Sequence, residues 1–443
     1  MRAVILAAGA GTRMRQDLET PKPLINLLGL PLITRNILSL RACGIDEFVI
    51  ITGRYRQELE NYLGDGKKHQ VKITYLHNPD WQLGNGVSAY TFRKIFQPQE
   101  RFILMMADHM FNLKDLQAFV AAAKANDAEK ILLAADRRLE RVWDLPEATK
   151  IIAENGLALK LGKDLQHFNA VDGGLFAGNE LLLAALEKAI SQENYSLTAA
   201  INFLAADGKV KLHFLQEDWV DVDDLASFKQ AEKILLKSLL PPKDGFISRT
   251  INRKFSLPLT KVLSKTVLTP NQITFISFLV ALAAAVAFAL RRPFWGGILT
   301  QLTSILDGVD GEIARLKFLQ SDYGGLFDAI LDRYADFFIV LGMACGWYLE
   351  TESLVVFLIG AIALSGLPKS MLIKEKFQAL TGKTFVPWLY DGVFRYLPAN
   401  RDGRLFLIML GGIFNLVPAT LVVLAVICHV QAVARLLMLR KLI

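Results

Sequence analysis

The chain is poor in the residues that build cross-linked scaffolds. Cys43, Cys345 and Cys428 are the only cysteines in 443 residues. They lie far apart and share no ligand spacing, which excludes a disulfide framework or a cysteine metal site and leaves no demand for an oxidising compartment. The start, "MRAVILAAGAGTRM", lacks the uninterrupted apolar core of a secretory signal, because its short run breaks at glycines. The first domain is therefore expected to stay in the cytoplasm. No basic stripe interleaved with aromatics is present, so the excess of 50 Lys and Arg over 43 Asp and Glu does not point to nucleic acid. Anionic lipid or phosphorylated substrates remain as partners for a net charge of +7. Long apolar runs are also missing, but only from residues 1–240.

Beyond about residue 270 the pattern reverses. Hydrophobic residues make up 52% of the chain and mean hydropathy is +0.32. Both are too apolar for an average soluble protein, and the excess sits in the second half. Residues 1–240 instead alternate short buried-strand patterns with helical periods. "RAVILAA", "DEFVIITG", "VKITYLHN", "RFILMMAD" and "KILLAAD" read as strands. "PLITRNILSLRACG", "LTAAINFLAADG" and "LASFKQAEKILLKSLL" read as helices. This order predicts an α/β domain with a mainly parallel sheet. "PPKDG" at 241–245 marks its end. Residues 241–268 form a linker with Arg249, Arg253, Lys254, Lys261 and Lys265 among apolar residues, read as an amphipathic helix on the membrane surface.

Residues 269–443 hold six candidate spans, at about 272–290, 294–312, 325–349, 352–373, 404–416 and 418–437. Asn415 and Pro418 mark a tight re-entry between the last two. Arg315, Lys317, Lys369, Lys374, Lys376, Lys383, Arg401, Arg404, Arg440 and Lys441 fall in alternate loops or at the chain end. The opposite loops offer mainly Arg291 and Arg292. The positive-inside rule then predicts a multi-pass protein of the cell membrane with both ends cytoplasmic.

Two stretches carry chemistry. In the first half, "LAAGAGTRM" follows a strand. Gly9 and Gly11 allow close backbone approach to phosphate, and Arg13 and Lys22 add positive charge for a triphosphate. His109 either orients a ligand or packs. L-A-A-G-x-G-T-R with P-K-P-L resembles nucleoside-triphosphate transferases that activate sugar phosphates and related alcohols. That resemblance implies a Rossmann-like α/β nucleotidyltransferase fold. It places Asn85 and Gly86 of "GNGVSAY" at the nucleotide base, with Asp108 of "MMADHM" and Asp221 of "WVDVDD", Asp223 being the second choice, as Mg²⁺ ligands from separate strand ends. "EATKI", "LGKDL" and "VDGGLF" resemble the acceptor-binding part of archaeal-type inositol-1-phosphate cytidylyltransferases. Lys150 and Lys163 are then candidates for the substrate phosphate and Asp172 for its hydroxyls. Gly173 departs from that pattern, standing where threonine is usual.

In the second half, Asp307 and Asp310 are three residues apart and Asp328 and Asp332 four apart. Each pair shares a helix face at a cytoplasmic end. A single carboxylate in a membrane costs on the order of 3 kcal/mol, so four together imply a divalent cation, for which Mg²⁺, Mn²⁺ or Ca²⁺ suits hard oxygen ligands. Buried ion pairs to Arg315 and Arg333 are the other way to hold them. The spacing D-x-x-D-G-x-x-A-R, eight residues, then G-x-x-x-D-x-x-x-D resembles the signature of CDP-alcohol phosphotransferases, as does "TPNQIT" before the first span. The resemblance implies that Asp307, Asp310, Asp328 and Asp332 hold metal and that Gly311, Ala314, Arg315 and Gly324 line the nucleotide. Asp332 is the candidate base, Asp336 supports the site from outside the motif, and Arg401 and Lys369 are candidates for an acceptor phosphate.

Over nearly its full length the chain resembles the bifunctional family that joins inositol-1-phosphate cytidylyltransferase to di-myo-inositol-phosphate-phosphate synthase. The implied substrates are CTP, inositol-1-phosphate and CDP-inositol, and the product is a compatible solute. Mg²⁺ is implied at both sites, and a homodimer through the membrane domain. The alternative is a phospholipid synthase whose nucleotidyltransferase domain works separately or has degenerated.

Overall fold

The computed structural model describes residues 1–11, 20–241, 245–392, 394 and 397–440, except for the side chain of residue 388. Arg13 lies outside them. The chain forms two compact units, Met1–Lys237 and Ser238–Ile443.

The first unit is built on nine strands: β1 Arg2–Ala7, β2 Glu47–Thr52, β3 Lys72–His77, β4 Phe102–Met106, β5 Ile131–Asp136, β6 Lys150–Glu154, β7 Leu157–Gly162, β8 Ala170–Gly178 and β9 Val210–Phe214. Their spatial order is β3-β2-β1-β4-β8-β5-β9-β7-β6, and β6 also pairs with β8. Alternate residues serve opposite faces. Val4, Leu6, Val49 and Ile51 pack under helices Asn85–Tyr90, Glu180–Ser191 and Leu197–Ala206. Ala3, Ile5, Ala7 and Ile50 pack under helices Leu32–Arg41, Arg56–Leu63 and Leu113–Ala125. Side-chain oxygens of Asn112, Asn179 and Ser196 cap three of these helices.

The sheet is mixed rather than mainly parallel. β3, β2, β1 and β4 run parallel, as do β5 and β9. β8 runs antiparallel to β4, β5 and β6, and β7 is antiparallel to β6 and β9. The β6–β7 pair is a tight hairpin, turning at Asn155 (φ 48°) and Gly156 (φ 77°). Asn-Gly with both residues left-handed suits a two-residue hairpin turn.

The second unit is helical: α1 Arg253–Leu263, α2 Pro270–Ala289, α3 Pro293–Leu316, α4 Asp322–Thr351, α5 Leu354–Gly366, α6 Lys369–Thr381, α7 Arg401–Ile413 and α8 Val417–Leu439. Among the described residues, three segments, α2, Leu354–Thr381 and α8, are long and apolar enough to cross a membrane. "TPNQIT" starts α2 with a reciprocal cap: Thr269 Oγ1 accepts from the Gln272 N–H, and Gln272 Oε1 accepts from the Thr269 N–H at 2.9 Å. α2 and α4 approach closely because a Cβ on Gly342 would strike the Ala285 carbonyl. α7 and α8 meet in a turn with Asn415 at φ 55°.

The helix expected to lie amphipathically on a surface turns one polar face inward, while Lys254 stays exposed. Asn252, Arg253, Ser256 and Thr260 are buried, whereas Phe255 and Val262 are about 60% exposed. Its polar face packs on α3, where Glu312 is fully buried. Glu312 pairs with Arg253 and accepts from Ser256 Oγ at 2.6 Å and Thr260 Oγ1.

Candidate functional sites

In the first unit, Gly9 and Gly11 follow the end of β1. Gly11 has φ 59°, and a Cβ there would lie 2.7 Å from the Lys22 Cβ. Lys22 opens a short turn after Pro21 and is buried. Its Nζ lies 2.5 Å from Asp108 Oδ2, 2.5 Å from Asp223 Oδ1 and 3.9 Å from Asp221 Oδ1. Asp108 follows β4. The next residue, His109, pairs directly with Asp221 in a two-strand ribbon, His109–Met110 with Val220–Asp221. This ribbon brings two sequence-distant carboxylates together. His109 Nδ1 is 3.0 Å from Asp108 Oδ1 and 3.7 Å from Asp221 Oδ1. Its ring stacks on Trp219, whose Nε1 donates to Asp136 at 3.0 Å.

Charge is tightly balanced here. Burial disfavours the Lys22 ammonium, but Asp108, Asp221 and Asp223 outweigh it and raise its pKa above the ordinary lysine value. Burial also opposes the Asp108 charge, yet Lys22 and His109 hold that carboxyl below the usual range. His109 is disfavoured as a cation by burial and is nonetheless pushed up to about 9 by Asp221 and Asp108. Asp221 is raised to about 6 by burial, against the pull of His109.

Asp108, His109 and Asp221 each offer a ligand atom within 4.8 Å of the others. Asp221 Oδ1 is buried with no hydrogen-bond partner among the described residues. An orphaned carboxylate oxygen beside a second carboxylate fits a divalent cation.

A cavity of about 340 Å³ opens beside this cluster, with Asn85, Trp143, Lys163 and Asp172 in its wall. A cleft of about 320 Å³ runs past Gly9, Gly11, Lys22 and Lys163. Asn85 Oδ1 accepts from the Leu197 N–H at 2.8 Å. Gly86 is held against the Tyr195 carbonyl, where a Cβ would clash. Asp172 Oδ1 accepts from the Gly174 N–H at 2.7 Å, yet burial lifts its carboxyl to about 6. Lys150 lies in a separate cleft with Lys163 and donates to the Lys163 carbonyl at 2.5 Å.

In the second unit, α3 carries Asp307 and Asp310, and α4 carries Asp328, Asp332 and Asp336. One carboxylate oxygen from each of Asp307, Asp328 and Asp332 lies within 4.8 Å of the others. Each such pair repels by about 3–4 kcal/mol at an effective dielectric near 20. Arg401 offsets this with Nη1 2.7 Å from Asp307 and Nη2 2.8 Å from Asp332. Its Nε also lies 3.0 Å from Asp336, which Arg404 reaches at 2.7 Å. Arg333 pairs with Asp336 at 3.5 Å. Asp310 sits apart from the triad and accepts from Thr274 Oγ1 at 2.5 Å. A groove of about 170 Å³ joins Asp310 and Asp328 and is lined by Gly311, Ala314, Arg315 and Gly324. All four motif residues thus share one surface. Lys369 is elsewhere, with its Nζ 3.0 Å from His429 Nδ1. The clustered carboxylates are hard oxygen donors of the kind a divalent cation takes.

Residues 3–199 match the MobA-like NTP transferase domain, and residues 267–431 match CDP-alcohol phosphatidyltransferase. A bifunctional IPC transferase and DIPP synthase from Archaeoglobus fulgidus is 36% identical over 416 residues, 93% of this chain and 78% of the relative. The chain belongs to this bifunctional family. The Rubrobacter xylanophilus relative of the same name is 33% identical across 99% of this chain and 96% of its own. The one from Thermococcus kodakarensis is 32% identical across 92% and 89%. As a member of the bifunctional IPC transferase and DIPP synthase family, the chain is an enzyme with a cytidylyltransferase unit and a CDP-alcohol phosphotransferase unit.

Several residues at the two sites escaped sequence reasoning. Thr274, the last residue of "TPNQIT", reaches Asp310 across helices. Glu312 lies inside the aspartate motif but faces α1. Trp143 carried no motif at all. The one available signal was for Glu312: an acidic residue in an apolar helix needs a cation, and Arg253 was the basic residue in the linker able to serve.

Proposed function

We propose that this enzyme makes CDP-inositol and then consumes it. In the first reaction a phosphate oxygen of inositol-1-phosphate attacks the α-phosphorus of CTP and pyrophosphate leaves. In the second, a hydroxyl of another inositol-1-phosphate attacks the β-phosphorus of CDP-inositol and CMP leaves, giving di-myo-inositol-phosphate-phosphate. One observation carries this reading: a separate carboxylate cluster in each unit, in a chain whose relatives are named for both activities over the same length.

Mg²⁺, or alternatively Mn²⁺, would be held by Asp108 and Asp221 in the first site and by Asp307, Asp310, Asp328 and Asp332 in the second. Bound there, it supplies charge neutralisation for the phosphates. In the first site Lys22 and Arg13 carry positive charge at the triphosphate, and Gly9 and Gly11 let the backbone approach it. Asn85 and Gly86 shape the base end. Lys163, with Lys150 beside it, meets the substrate phosphate, and Asp172 accepts from its hydroxyls. In the second site Gly311, Ala314, Arg315 and Gly324 form the nucleotide groove. Asp332 takes the acceptor hydroxyl proton as the new P–O bond forms. Arg401 receives the acceptor phosphate; Lys369, paired with His429, is not required for that role.

The proposed organisation keeps residues 1–240 in the cytoplasm, 241–268 as a juxtamembrane linker and 269–443 as six spans in the cell membrane, with a cytoplasmic C-terminus. The outward Phe255 and Val262 of α1 suit contact with the bilayer. A homodimer forms through the membrane domain. Incubation of purified protein with CTP, Mg²⁺ and labelled inositol-1-phosphate should yield labelled di-inositol product and CMP. Accumulation of CDP-inositol alone, with turnover restored only by a lipid acceptor, would overturn the second half.

A further inference from the structure

The wall of the first cavity holds two tryptophans, Trp219 and Trp143, and the second has no role in the reading above. Trp143 is 43% exposed and lines the space that also holds Asp172, Glu147 and Lys163. Its neighbours behave differently. Val142, Leu145 and Ala148 pack against the core cluster under β1. The loop is therefore anchored on both sides of a residue that remains out. Asp144, next in sequence, takes φ 54°, an uncommon left-handed conformation for a residue other than glycine. Its carbonyl accepts from the Glu147 N–H at 3.1 Å and the Ala148 N–H at 3.2 Å. The Asp172 N–H donates to the Thr149 carbonyl at 2.8 Å, which ties the loop end to β8. The backbone is thus held by hydrogen bonds and apolar anchors, with the Trp143 indole in the wall of a cavity that also presents Glu147, Lys163 and Asp172. A left-handed Asp144 and a part-exposed tryptophan both weigh against folding stability, and neither is explained by the packing of the loop.

The geometry points to Trp143 as the platform for the ring of the phosphorylated substrate in the cytidylyltransferase site. A cyclitol offers an apolar C–H face and a rim of hydroxyls. The indole covers the face. Asp172 and Glu147 are carboxylates able to accept from the rim, and Lys163 is the cation for the phosphate. A linear polyol phosphate presents no such flat face, so Trp143 sets preference for a ring-shaped acceptor. This rests on the proposed inositol-1-phosphate reading of the same site.

The test is steady-state cytidylyl transfer by the full-length protein with Trp143→Ala and Trp143→Phe. Trp143→Ala should raise KM for inositol-1-phosphate about tenfold, because alanine leaves the apolar face of the ring uncovered, with KM for CTP unchanged. Trp143→Phe should keep most of the wild-type KM. The ratio of kcat/KM for inositol-1-phosphate over glycerol-3-phosphate should fall in Trp143→Ala and hold in Trp143→Phe. An unchanged KM and an unchanged ratio in Trp143→Ala would overturn the platform. Equal rises in both KM values would also overturn it, by marking a general loss of structure. Failure of wild-type protein to use inositol-1-phosphate at all would instead overturn the function proposed above, which separates the two claims.

Discussion

Arg253→Met strips the cation from a buried carboxylate beside the aspartate motif. Methionine keeps an apolar stem and deletes the charge. Glu312 is fully buried and relies on Arg253, Ser256 and Thr260. The variant leaves that carboxylate with two hydroxyl donors and no cation. Breaking a buried pair from one side costs about 3–5 kcal/mol, whereas replacing both partners with apolar groups is often near neutral. The unit spans Ser238–Ile443, a size at which each kcal/mol moves Tm by roughly 2–4 °C, so the drop should be about 6–20 °C. Glu312 lies between Asp310 and Ala314, so the second reaction should weaken as well. Arg253 lies outside Met1–Lys237, so cytidylyl transfer should persist. Thermal unfolding in detergent, read beside both reactions, measures this. The double variant Arg253→Met/Glu312→Met should recover most of the lost Tm. A single-variant drop under about 2 °C, or a double variant no better than the single, would refute the reasoning.

Asp332→Asn should abolish CMP release from CDP-inositol and leave pyrophosphate release from CTP intact. Asp108→Ala should do the reverse when CDP-inositol is supplied, and loss of both reactions in either variant would contradict separate sites. Asp172 gives a pH test. Its folded value of about 6 lies above the ~4 of an unfolded chain, so its stabilising contribution is present below about pH 4 and lost as pH rises through 6. Asp172→Asn should therefore stabilise the first unit by up to about 2–3 kcal/mol at pH 7.5 and by nothing at pH 4, while raising KM for inositol-1-phosphate. Unfolding curves at the two pH values decide it.

Local pattern carried much of the fold and the carboxylate sites into view. Five apolar runs became β1 to β5, and the aspartate spacing placed Asp307, Asp328 and Asp332 in one cluster. Residues 150–178 were harder, because β6 and β7 mix polar residues with apolar ones and β8 carries two adjacent glycines, Gly173 and Gly174. Their antiparallel turn was written in Asn155-Gly156 and went unread. Long-range partnerships were hidden for a different reason. Periodicity assigns a residue to a face, but it does not say which helix that face meets. Arg401 read as a loop cation and proved to span Asp307, Asp332 and Asp336. That α1 packs a polar face on α3 was not legible, because an amphipathic pattern is symmetric between a polar exterior and a polar interface.

Lys22 and Arg401 play the same part in unrelated folds. Each is a covalently tethered cation set among carboxylates that a soluble ion would otherwise have to quiet. Folding therefore does not have to wait for metal, unlike in small zinc domains whose native state is the bound state. Chelation should silence both reactions while leaving the protein folded, and readmitting the ion should restore them without refolding. The two chemistries can thus idle and restart with the supply of divalent ion, on a scaffold whose charges are already balanced.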